Sequence, residues 1–131
     1  MAENITQEHW LETYKSLITL SLEAFRFSAL ANGGAAVALL AYLGNLAGRP
    51  NMAMVDMSCP MMAYLSGLVL CGVSVLFGYL TQLKLLNEIG KTEKFFFGHS
   101  CYLLMALGMY IASLTAFGYG SYLAVLRFAN S

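Results

Sequence analysis

Residues Leu17–Ala47 read LITLSLEAFRFSALANGGAAVALLAYLGNLA, thirty-one positions with only two charged side chains, Glu23 and Arg26. An α-helix advances ~1.5 Å per residue, so this stretch outreaches the ~30 Å of hydrocarbon in a bilayer. Two more apolar stretches follow, from about Pro60 to Leu83 and from about Phe95 to Leu126. Membrane-spanning β-strands are shorter and alternate in polarity, which none of these does. The sequence therefore predicts an all-α, polytopic membrane protein, a bundle of three transmembrane helices forming one domain over residues 1–131.

Composition agrees. Hydrophobic residues make up 59% of the chain and charged residues 11%, against ~25% charged in ordinary soluble domains. A soluble fold this small has too little interior to hide so much apolar surface. Seven basic and seven acidic side chains cancel, leaving no electrostatic footprint for nucleic acid. Cys59, Cys71 and Cys101 lack CxxC or CxxH spacing, so they read as packing residues rather than a disulfide framework or zinc site. No metal or cofactor is expected. Glu3, Glu8 and Glu12 precede a long apolar run, a pattern unlike a secretory signal.

Local punctuation sets helix limits at 5–47, 60–89 and 92–127. Gly48-Arg49-Pro50 stops the first helix. Ser58 or Cys59 caps the second, with Pro60 in its first turn. Gly90 ends it and Thr92 caps the third, which makes the last two helices a tight antiparallel hairpin. Ahead of the first span, Glu8, Glu12, Lys15, Thr19, Glu23 and Arg26 recur at steps of three and four, one stripe of a helix. A long amphipathic amino-terminal extension is thus expected to run unbroken into the first span. Cytoplasmic flanks are rich in Lys and Arg. Lys15, Arg26, Lys84, Lys91 and Lys94 share one side and Arg49 and Arg127 the other, placing the amino terminus in the cytoplasm and the carboxyl terminus outside. Trp10, Tyr79, Tyr102 and Phe95–Phe97 suit a cytoplasmic aromatic belt; Tyr42, Tyr64, Tyr119 and Tyr122 suit an outer one.

Small residues mark the packing faces. Ala29 with Gly33, and Gly34 with Ala38, are close-contact pairs in the first span. Ala63, Gly67, Cys71, Ser74, Gly78 and Thr81 share a face of the second, and Gly108, Ala112, Ala116 and Gly120 recur every four residues in the third. Lipid offers no hydrophobic drive between helices, so close van der Waals approach must supply it. These faces exceed what one hairpin uses, which predicts packing between chains as well as within one.

Polar residues inside the spans are the candidate functional groups. Glu23 and Arg26 are three residues apart and can pair. They serve as a gate or interchain ion pair, or else as an anchor at the cytoplasmic interface. Ser21, Ser28 and Asn32 share another face, as interhelical glue or as a pore lining. Catalysis has no foothold. His99 and Cys101 are two apart, on different helix faces, with no orienting carboxylate nearby. His9 reads as a solvated side chain. Met52, Met54, Met57, Met61 and Met62 lack a matching His or Cys array for copper and read as interfacial contacts.

The run Ala31–Asn45, ANGGAAVALLAYLGN, resembles the first span of small bacterial inner-membrane proteins of unassigned activity. The similarity covers that span alone. The overall layout is similar to the small membrane effectors with which bacterial anti-phage systems disturb the inner membrane. These resemblances imply a bacterial inner-membrane setting and a membrane-perturbing role. The chain departs from small multidrug transporters, which have four spans and an essential carboxylate early in the first; that role is not carried over to Glu23.

The expected function is non-enzymatic: a lipid-embedded homo-oligomer acting as a pore-like or membrane-perturbing effector. The alternative is an anchor or assembly subunit whose amino-terminal amphipathic helix recruits a cytoplasmic or membrane partner.

Overall fold

The structure, a computed structural model, describes residues 2–48, 56–88 and 99–129, with side-chain surroundings for 7–48, 56–85 and 100–129. It contains α1 (Ala2–Ala47), α2 (Ser58–Glu88) and α3 (His99–Ala129). α1 is a single helix of 46 residues. Each of the three is long and apolar enough to cross a membrane, over Gln7–Ala47, Ser58–Leu85 and Ser100–Ala129. The predicted turn at Gly90–Thr92, the helix start at residue 92 and Phe95–Phe97 lie outside the described residues, as do Arg49, Pro50, Met52 and Met54.

The helices alternate in direction. Along α1, Tyr14 meets Gln82, Phe25 meets Cys71, and Asn32 meets Gly67, so α2 descends as α1 rises. Along α2, Tyr64 bonds Ser121 and Ser74 bonds the Ala106 carbonyl, so α3 rises again. α2 and α3 make the most extensive pairing and α1 leans against both.

The seam of α2 is written in its spacing. Pro60, Tyr64, Gly67, Cys71, Ser74 and Thr81 are all buried, with Gly78 half-buried between the last two. Steps of four and three average 3.5 residues, the period that keeps one stripe facing a neighbour along a left-handed bundle. On α1 the matching stripe is Phe25, Ser28, Asn32, Ala36, Leu39 and Leu46. Tyr64, expected in the outer aromatic belt, is instead buried, donating to Ser121 Oγ at 3.2 Å and tilted against Phe117. Its position on the seam overrides its preference for an interface.

The four-residue run of α3 does not form a single face. Each step of four advances ~40° past a full turn, so Gly108 and Gly120 end up ~120° apart. Gly120 is buried, and an added Cβ would press on Tyr64 and Ala63 at 3.0–3.1 Å. Ala112 and Ala116 are half-buried, whereas Gly108 is exposed with nothing within 4 Å of an added Cβ. Ala29 and Gly33 are half-buried on α1, and a Cβ added at Gly33 would lie 3.9 Å from Leu68 Cδ1, an ordinary contact. Gly78 has open space beside it. The outer surface carries Leu20, Leu30, Val37, Val69, Leu76 and Leu104, among many exposed apolar residues. That coat suits hydrocarbon rather than water.

α2 begins on a cap supplied from outside the helix. Asp56 Oδ1 accepts from the Ser58 amide at 3.0 Å and from its hydroxyl at 2.6 Å, while Met61 N–H donates to the Met57 carbonyl. The capping group is therefore Asp56, not Ser58 or Cys59 as expected from the sequence. Hydrogen bonds from the Ser58 side chain and then its backbone hold the exposed Asp56 carboxyl below the ordinary range. A depressed folded value means the contribution is complete above the unfolded value and is lost as pH falls through the folded one. Asp56→Ala is thus expected to lower the melting temperature in detergent at pH 7. That difference from wild type should close as the pH is brought below the carboxylate range; a gap that persists unchanged in acid would remove the carboxylate from the cap.

Candidate functional site

Hydrocarbon accepts no hydrogen bonds, so each polar side chain within the spans must find a protein partner. Where the three helices come together they build one such cluster. Ser28, Asn32 and Ser113 each have 0% exposure. Ser113 Oγ lies 2.6 Å from the Gly67 carbonyl and 2.8 Å from Ser28 Oγ. Ser113 has one hydroxyl proton and the carbonyl can only accept, so Ser113 donates to Gly67 and Ser28 donates to Ser113. Asn32 Nδ2 faces the Ser28 carbonyl at 3.1 Å, the Ser113 carbonyl at 3.4 Å and Ser113 Oγ at 3.3 Å. Two carbonyls around one amide atom identify that atom as the nitrogen.

This leaves Asn32 Oδ1 buried and without a conventional partner among the described residues. It rests against Gly67, where an added Cβ would overlap Oδ1 and come within 2.7 Å of Cγ. The hydrogen that glycine carries in place of a Cβ therefore points toward Oδ1, the setting of a weak Cα–H···O contact. Gly67 is required at this position for two reasons: its carbonyl receives Ser113, and its bare Cα receives Asn32.

Of the three residues expected as interhelical or pore-lining, Ser28 and Asn32 bind helix to helix inside one chain. Ser21 is exposed and donates to the Leu17 carbonyl of its own helix at 2.8 Å. Ser113, the hub of the cluster, was not anticipated; the four-residue reading of α3 stepped over it. The signal was available, since Ala106, Ser113 and Gly120 recur at seven and are all buried. Ser74, expected as a small packing residue, also donates to the Ala106 carbonyl at 2.5 Å.

Glu23 and Arg26 take the opposite side of α1. They form an ion pair of 2.8 Å with side chains 60% and 71% exposed, respectively. Their depth follows from helix register. The Phe25 carbonyl, between them in sequence, accepts from the Cys71 thiol at 3.5 Å, and the Phe25 ring meets Tyr110 edge-on. Cys71 is thirteen residues from Ser58 and fourteen from Leu85, the ends of the second candidate span. The pair therefore lies level with the middle of the spans and faces away from α2 and α3. Elsewhere in the spans, the cysteines are free, and among the described residues no three His, Cys, Asp or Glu side chains gather.

The overlap at Gly67 makes a coupled test. Gly67→Ala alone should cost about 1–3 kcal/mol by forcing Asn32 from its site. In an Asn32→Ala background the same change should cost much less, because the overlapping atoms are gone. Equilibrium unfolding in mixed micelles measures both; strictly additive losses would refute the contact.

No protein-family model matches this chain, and no curated protein or solved structure does either.

Proposed function

We propose that this chain is a non-enzymatic protein of the bacterial inner membrane that self-assembles and perturbs that membrane in a pore-like manner. The carrying observation is the outward Glu23–Arg26 pair at the mid-level of three candidate spans. Charges facing lipid at that depth cost several kcal/mol, so such residues ordinarily face protein or water. The interior of one chain gives them neither. Its centre is filled by Ser28, Asn32, Ser113 and Gly67, so a water path would have to run between copies.

The lysine and arginine balance supports an amino terminus in the cytoplasm and a carboxyl terminus outside. Expression in bacterial cells loaded with a potential-sensitive dye should dissipate the membrane potential. Glu23→Leu combined with Arg26→Leu should abolish the effect at equal membrane abundance, whereas Leu104→Ala on the outer face of α3 should not. Depolarisation no greater than that from an inert three-span control defeats this function.

A second reading, an anchor that recruits a partner, draws on the amino-terminal part of α1. Trp10 is 70% exposed and stacks on Tyr14 at 5.9 Å, beside exposed Glu8, Glu12 and Lys15. On that reading, deleting residues before Leu17 removes a co-purifying partner and purified protein passes no ions.

A further inference from the structure

We infer that two copies of this chain associate through the outward face of α1, side by side and parallel, with Glu23 of each copy against Arg26 of the other. This rests on the self-assembly proposed above and specifies its contact.

Three observations converge on it. First, among the described residues Glu23 and Arg26 are the charged side chains near the mid-level of the spans; α2 carries Lys84 and Glu88 and α3 carries Arg127, all toward helix ends. A partner copy can therefore complement this pair only with the same pair. Second, the pair is self-complementary under two-fold symmetry. Residues three apart on an α-helix are separated by about 60° around its axis, so Glu23 and Arg26 stand on either side of the outward direction. Rotating a second copy by a half-turn about an axis along the membrane normal brings its Arg26 to the side of Glu23, and its Glu23 to the side of Arg26. Each contact then occurs twice, as an isologous interface requires. Copies inserted in the same direction satisfy the parallel arrangement automatically.

Third, the same face continues as a seam. Glu23, Arg26, Leu30, Val37 and Gly44 follow at steps of three, four, seven and seven, and all are exposed. That is the 3.5-residue period already used between α1 and α2, repeated on the opposite side of α1 with no partner among the described residues. Gly44 has nothing within 4 Å of an added Cβ, so a second backbone can approach there.

The test uses full-length protein bearing two different tags, co-expressed and extracted in mild detergent, with co-purification of one tag by the other as readout. Wild-type copies should co-purify. Glu23→Arg should weaken association with itself by about tenfold or more through like-charge juxtaposition, and so should Arg26→Glu. Glu23→Arg mixed with Arg26→Glu should recover it, because one copy then presents two cations and the other two anions. Recovery also shows that both variants insert and fold. As an uncharged check, Val37→Trp should weaken pairing while Val69→Trp, on the outer face of α2, should not. If wild-type copies co-purify but neither charge reversal nor Val37→Trp alters it, this interface is wrong and self-assembly stands. If wild-type copies never co-purify, both fall, as they do if a different protein is required to hold the two tags together.

Discussion

Hydrocarbon offers no donors or acceptors, and this constraint decides what the polar residues of the chain can do. In water, Ser28, Asn32 and Ser113 would be unremarkable surface groups. Within the spans each must be answered by protein, and they answer one another where all three helices meet. Gly67 makes that possible by offering a carbonyl and no side chain. Such a node carries little hydrophobic energy. Its contribution is specificity: sliding α3 by one residue would part Ser113 from the Gly67 carbonyl and leave Asn32 further unsatisfied.

The same constraint applied outward gives the chain its direction. An ion pair turned away from its own bundle, level with Cys71, is incomplete in a lipid setting. The inner face of α1 is occupied by Ser28, Asn32, Ala36 and Leu39, while its outer face combines charge, branched apolar residues and an open glycine. α1 is thus a helix with two seams. One assembles the chain, and the other is the face proposed to join copies.

Much of the fold was legible in the sequence because membrane helices are long and written in composition. Leu17–Ala47 could be nothing shorter than a span, and the three- and four-residue spacing from Glu8 to Arg26 read as helix, which α1 is throughout. The face of α2 was found because Gly67, Cys71 and Ser74 alternate at steps of four and three. The node was only half legible: Ser28 and Asn32 stood out as polar, but Ser113 was hidden by a glycine–alanine run whose period drifts around α3. The Asp56 cap escaped for a related reason, since Ser58 is itself a good capping residue and masks the carboxylate two positions earlier. Depth was the least legible property. Sequence alone left Glu23 and Arg26 between interface and interior, and only the register of α1 against Cys71 of α2 places them level with the middle of the spans.

Depth is also the quantity most open to direct measurement. Trp10 is the sole tryptophan, so Trp10→Phe with Phe27→Trp gives a single reporter next to Arg26, at a position that is 62% exposed. Reconstituted into vesicles containing lipids brominated at graded acyl positions, that reporter should be quenched most strongly by bromines deep in the chains. Strongest quenching by bromines near the headgroups, or by a water-soluble quencher, would contradict a mid-bilayer position for the Glu23–Arg26 pair.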